Sequence, residues 1–266
     1  LYGAYNTAVD FKNLVPMITV SLGVSALPAL AEAWTMKDKA AVKSAVNTVI
    51  RVSMLIALPA GIGMGVLAEP ILTLIYGRGR MAADIPMIAP MVAVFGFTTA
   101  FMSISTPLTN LLQAVGRTDI PVKTMLVSAV VKIICNFALV GIPGINFNGA
   151  VIGTVLFYVI NVILNVIAVI KVTKVRIDIM SDLIKPLISA AMCGLAAWAA
   201  YGLLGNYVLK SVRHGADIAL LAAIIIAVMV YAIAIIVFKG IVREDIESLP
   251  AGEKIAKVLE KYELLG

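Results

Sequence analysis

Apolar residues run through the chain in long unbroken stretches, each closed by a short cluster of Gly, Pro, Lys, Arg, Asp or Asn. Each stretch is about 20 residues long, the length an α-helix needs to cross the hydrocarbon of a bilayer. Seven stretches stand out, near residues 9–31, 46–68, 87–113, 122–141, 148–170, 184–204 and 217–238, and they predict seven membrane spans. A transmembrane β-barrel would instead alternate apolar and polar positions in segments of about ten residues. The fold class read from this pattern is all-α, a polytopic membrane protein.

Composition agrees with the pattern: 61% of the residues are hydrophobic and 14% are charged, whereas soluble domains are about half apolar and a quarter charged. Cys135 and Cys193 both fall inside apolar stretches, where packing as small hydrophobes accounts for them better than a disulfide or a metal pair. No basic stretch, short apolar run and cleavage site precede the first span, so the start at Leu1 does not read as a secretory signal. The expectation is a chain cut from something longer.

The basic residues set an orientation. Fifteen of the 21 lysines and arginines, among them Lys37, Lys43, Arg51, Arg117, Lys123, Lys171, Lys185 and Lys261, fall after spans one, three and five or in the tail. Arg78, Arg80, Lys210 and Arg213 lie on the opposite side, with Lys12 near the mouth of span one and Lys132 within span four. Cytoplasmic loops carry the excess of Lys and Arg, so the tail is expected inside and Leu1 outside. An odd number of spans with an outside start requires at least one more span upstream if the native N-terminus is cytoplasmic. The net charge of +6 follows from this bias toward anionic inner-leaflet lipid and calls for no nucleic-acid partner.

Polar residues inside the spans form seams. In span three, Thr99, Ser103, Thr106, Asn110 and Gln113 recur at steps of four and three, which keeps all five within about 80° on a helix. Span four carries Thr124, Ser128, Lys132 and Asn136, and span five Thr154, Tyr158, Asn161 and Asn165. Such groups can serve as hydrogen-bonding glue between helices; three consecutive seams containing Asn and Gln are expected to line a water-accessible cavity.

Lys132 stands near mid-span, where a charge costs about 2.5–3.5 kcal/mol on insertion scales unless it meets water or a partner. It either snorkels or bonds a neighbouring Asn, or it is a cavity cation for an anionic head group. Asp10 and Lys12 at the start of span one can balance each other locally, and Arg51, four residues after Asn47, reads first as a positive-inside anchor.

Pro16, Pro28, Pro59 and Pro107 interrupt the apolar stretches, which membranes tolerate where neighbours re-satisfy the freed carbonyls and which transporters use as bending points. Gly61-x-Gly63-x-Gly65 reads as a close-packing or hinge surface, since no strand precedes it as a nucleotide fingerprint requires. Spans six and seven are apolar almost all round apart from Ser189 and Cys193. The tail from Ser248 through Pro250 places Ile255, Val258, Leu259 and Tyr262 on one face, the pattern of a short amphipathic helix at a membrane surface. No Gly-x-x-x-x-Gly-Lys-Ser/Thr motif occurs, the lone His214 sits in a loop, and no paired loop carboxylate is available to hold a metal and a sugar nucleotide. Neither an enzymatic activity nor a cofactor is implied.

Several stretches carry a family resemblance: Leu1 to Asn6 (LYGAYN) with Pro28 and Ala31-Glu32-Ala33, Leu58 to Tyr76 (LPAGIGMGVLAEPILTLIY), Leu112 to Arg117 (LQAVGR) followed by Val131 to Asn136 (VKIICN), Pro143 to Thr154 (PGINFNGAVIGT), and the ending Asp245 to Pro250 (DIESLP). In order and spacing these resemble the polysaccharide transporter family that includes stage V sporulation protein B, within the superfamily of multidrug, oligosaccharidyl-lipid and polysaccharide exporters. The resemblance implies a fourteen-helix protein of two six-helix lobes around a central cavity, plus a final apolar pair. This chain would then supply five helices of the C-terminal lobe over residues 1–171, the final pair over 172–238 and a cytoplasmic amphipathic tail over 239–266. The first lobe, the missing N-terminal half, would be its partner.

The resemblance further implies a flippase that moves undecaprenyl-pyrophosphate-linked saccharide, including peptidoglycan precursor, across the bacterial cytoplasmic membrane by alternating access. The apolar last pair would suit the lipid tail and a cationic cavity the pyrophosphate. Lys12 and Lys132 are the first candidates to bind it, with Asp10, Arg51, Asn110 and Asn136 behind them. The rivals are a cation-coupled multidrug exporter, for which Asp10 is the one intramembrane carboxylate, a membrane glycosyltransferase, which would want long outer loops, and a non-transporting scaffold for envelope synthesis.

Overall fold

The computed structural model describes residues 6–11, 13, 15–17, 27–79, 81–142, 147–175, 184–205, 215–238 and 240. Among these, the regular elements are helices: α1 (Leu27–Thr35), α2 (Lys39–Val66), α3 (Ala68–Tyr76), a 3-10 turn at Ala82–Asp84, α4 (Ile85–Ala114), α5 (Asp119–Val140), α6 (Phe147–Thr173), α7 (Lys185–Leu203) and α8 (Gly215–Val237). Residues 6–11, 13 and 15–17 are also helical. Six helices are long and apolar enough to cross a membrane, and they coincide with the expected spans from 46–68 onward. The expected first span, 9–31, and the tail helix lie in part or wholly outside the described residues.

Local chemistry sets the helix ends. Asp38 caps α2 by accepting from the backbone N–H of Ala40 at 2.9 Å and Ala41 at 3.1 Å, which satisfies donors that have no partner in the first turn. This cap starts α2 at Lys39, so its basic first turns, with Lys39 and Lys43, precede the apolar stretch. At the end of α4, Gly116 takes φ +78° while Arg117 N–H bonds Leu112 O and Gly116 N–H bonds Gln113 O. These two bonds are the Schellman arrangement, which favours glycine at the left-handed position. The helix breaks at Leu67 after α2, and the nine-residue α3 that follows is too short to span.

The packing core is α2 against α4, with α6 on the far side of α4 and the α7–α8 pair on α2. The α2–α4 crossing rests on glycine: a methyl group built on Gly61 would lie 2.6 Å from Gly96 O, and one on Gly96 would strike the backbone of Gly65. Gly63, on another face, has nothing within 4 Å. Of the glycine run, Gly61 and Gly65 make the close contact expected of small residues between membrane helices, and Gly63 does not.

Residues 8, 11 and 15 of the N-terminal stretch pack with Leu72, Ile88, Val92 and Phe95, and Phe11 meets Tyr76 edge-on with ring centroids 6.3 Å apart. The α5 helix packs chiefly on α6 and turns Met125, Leu126, Ile133, Ile134 and Phe137 outward. In a bilayer that face meets acyl chains or another part of the protein. Both cysteines are free thiols, Cys193 being buried between α7 and its neighbours.

Candidate functional site

The polar seams of the spans meet one another. Along α5 and α6 the register is antiparallel at steps of four. Thr124 Oγ1 donates to Asn165 Oδ1 at 2.7 Å, Lys132 Nζ stands 5.8 Å from the centroid of the Phe157 ring, and Asn136 Oδ1 lies directly over the Gly153 Cα. One helix away, Ser105 Oγ of α4 donates to Asn161 Oδ1 at 2.6 Å, and Asn165 Nδ2 donates to the same oxygen at 3.1 Å. Thr124, Ser128, Asn161 and Asn165 are buried.

For Thr124, Asn161 and Asn165 the structure shows bonding between helices in place of the expected cavity lining, while Ser128 Oγ donates to Thr124 O within α5. In hydrocarbon an unpaired amide is costly, and pairing two seams removes the cost for both helices. Thr99 and Ser103 of α4 are likewise fully buried, Thr99 bonding Phe95 O within its own helix. Half-buried Thr106, Asn110 and Tyr158 remain partly open.

The candidate residues fall on separate helix pairs. Lys132 and Asn136 belong to the α5–α6 seam, both half-buried. The Lys132 ammonium lies over the Phe157 ring, a contact that compensates a desolvated cation in part. Asn136 Oδ1 is buried without a hydrogen-bond partner among the described residues.

Arg51 and Asn110 belong to the α2–α4 pair. Arg51 is 7% exposed, so its side chain is packed within the bundle, whereas an anchor at the headgroups would be exposed. It lies ten residues before Gly61 on α2. The same distance along antiparallel α4, about 15 Å, leads from Gly96–Ala100 to Thr106–Asn110, which puts Arg51 and Asn110 at one depth. Asn47, one turn from Arg51, holds a buried Oδ1 with no partner among the described residues. Asp10 is exposed on the N-terminal helical stretch, and Lys12 lies outside the described residues.

Sequence reasoning missed Tyr231. Its hydroxyl, in the last third of α8, donates to Leu55 O of α2 at 2.8 Å. The signal was present, because a tyrosine in mid-membrane needs a partner for its hydroxyl. On the opposite side of the bundle from the α4–α5 loop, Arg78 pairs with Asp217 at 2.8 Å and ties the start of α8 to the loop after α3.

A bundle of apolar helices closed by glycine contacts and buried amide seams defines the chain as a multi-pass α-helical membrane protein. The family model of the lipid II flippase MurJ matches residues 4–216, and the chain belongs to that family. Among its relatives, stage V sporulation protein B of Bacillus subtilis is 24% identical over 243 residues, which is 91% of this chain and 44% of that protein. A probable lipid II flippase MurJ of Bdellovibrio bacteriovorus is 27% identical over 139 residues, 51% of this chain and 27% of the relative. The solved structure of lipid II flippase MurJ in an inward closed conformation shares the fold with a TM-score of 0.61 at 16% identity, over 87% of this chain and 44% of that one. The chain thus spans less than half the length of these relatives.

Proposed function

We propose that this chain forms the C-terminal part of a flippase that carries a polyprenyl-pyrophosphate-linked saccharide from the inner to the outer leaflet of the bacterial cytoplasmic membrane, by alternating access, for peptidoglycan or envelope polysaccharide synthesis. The observation that carries the reading is the family match over residues 4–216.

The chemistry of such a cargo sets two requirements. A pyrophosphate must be neutralised where hydrocarbon surrounds it, and a long polyprenyl chain must stay in contact with apolar surface. Lys132 in mid-span, Lys12 and the buried Arg51 supply cations, with Asn110 and Asn136 as polar neighbours and Asp10 at the mouth. The apolar outward faces of α7 and α8, with Leu195, Trp198, Ile225 and Val228, suit the lipid tail. In this reading residues 1–171 form most of one lobe, 172–238 the final pair, 239–266 a cytoplasmic tail, and a further N-terminal lobe completes the transport path.

Native mass spectrometry of the protein extracted gently from its own membrane tests the reading. A retained mass equal to a polyprenyl-pyrophosphate saccharide is the expected result. Retention of ordinary phospholipid alone, under conditions where a known flippase keeps its cargo, would contradict it.

A further inference from the structure

Pro59 sits inside α2 and has no N–H. The carbonyl that an ordinary residue 59 would bond, four residues back, is that of Leu55. Water cannot take up a freed carbonyl in hydrocarbon, so a neighbouring helix must, or the group stays unpaired. Tyr231 of α8 does this: its hydroxyl donates to Leu55 O at 2.8 Å. The ring packs against the residues around Leu67, Cys193 and Ala197 and also against the core of α2 and α4. On α7, the other helix of the final pair, Gly194 lets Ile62 of α2 approach so closely that a methyl group there would meet Ile62 Cγ2 at 2.5 Å. The final pair thus grips α2 on both sides of Pro59.

We infer that Tyr231 is a positioning residue: its hydroxyl substitutes for the hydrogen bond that Pro59 removes, and so fixes the angle at which the N-terminal half of α2 leaves the hinge. That half carries Asn47 and Arg51, eight and four residues before Leu55. The α7–α8 pair and this half of α2 therefore move together, and the depth and direction of Arg51 depend on a bond made by a helix otherwise facing lipid. The relevance to transport rests on the proposed function; the coupling itself does not.

The test uses the protein as expressed from its own gene, in nanodiscs, with Cys135→Ala and Cys193→Ala and spin labels placed first at Lys43 and Ile225, then at Ile75 and Ile225. Lys43 lies before the hinge and Ile75 after it. Tyr231→Phe is expected to broaden the Lys43–Ile225 distance distribution and leave Ile75–Ile225 unchanged. In a Pro59→Ala background, where residue 59 regains its N–H, the same change is expected to have no effect. An unchanged Lys43–Ile225 distribution in the Pro59 protein overturns the inference. Equal broadening in both backgrounds also overturns it, because the hydroxyl would then act through packing alone. Should Pro59→Ala not be recovered folded, the two label pairs in Tyr231→Phe decide: broadening of both pairs alike signals general loosening and sinks the hinge. None of these readouts depends on the cargo, so they stand or fall apart from the flippase reading.

Discussion

Gly96 of α4 lies against Gly65 of α2, and a methyl group on Gly96 would strike the Gly65 backbone. The atoms in the way are backbone, which cannot rotate aside, so the two helix axes would have to separate. Gly96→Ala is therefore predicted to cost more than the roughly 1–3 kcal/mol of ordinary overpacking, and to lower the recovery of monodisperse protein in fluorescence-detected size exclusion. Gly63→Ala, which meets nothing, serves as control and is predicted to leave recovery unchanged. Equal losses for the two would show that the crossing is not held by glycine contact.

The amide seam makes a second prediction. Thr124→Val keeps the shape of the side chain and removes the donor to Asn165. Interhelical hydrogen bonds in membranes are worth about 0.6–1.7 kcal/mol, and a loss in that range is expected in a reversible unfolding titration in mixed micelles. If the seam were a water-filled cavity, water would replace the hydroxyl and the change would be close to neutral.

Gly116 provides a third. At φ +78° an L-residue pays about 1–2 kcal/mol, so Gly116→Ala is predicted to destabilise the turn between α4 and α5 by that amount in the same titration. Space is not the reason, since nothing lies within 4 Å of the added methyl group. A neutral result would mean that α4 does not end in the left-handed turn.

The Arg78–Asp217 pair has an exposed arginine, 72% accessible. Pairs of this kind contribute about 0–1 kcal/mol and are screened by salt. Arg78→Ala is predicted to have an effect measurable only at low ionic strength, so a large loss that persists in high salt would assign this contact a role beyond surface charge pairing.

The spans were legible because a helix that crosses hydrocarbon must bury apolar residues along its whole length, and six helices stand where the apolar stretches predicted them. The seams were legible as periodicity, yet their partners were not: Thr124 could be placed on one face of α5 but nothing in that spacing says that Asn165 of α6 faces it. The same limit applied to Arg51, whose place near a helix start suggested headgroups while tertiary packing buries it. Tyr231 went unread because an apolar helix hides a single hydroxyl, and its meaning appears only beside Pro59 on another helix. The short α3 fell between the predicted spans, which end at residue 68 and resume at 87, because nine residues are too few to read as a membrane crossing.

Lys132 carries the remaining prediction. Lys132→Met retains the stem over Phe157 and removes the charge. If the ammonium meets the pyrophosphate, the substituted gene fails to complement its own deletion at normal protein levels, and full complementation would withdraw that role.

Everything proposed for the site turns on translocation of a lipid-linked saccharide. The most direct measurement is flipping of a fluorescent polyprenyl-pyrophosphate saccharide in liposomes holding the protein as expressed from its own gene, followed by quenching of the outer leaflet. The protein is expected to make the inner-leaflet pool accessible, Lys132→Met to slow it, and a phospholipid of similar label not to be moved. Equal movement of both lipids, or none of either in liposomes where a known lipid II flippase is active, would contradict it.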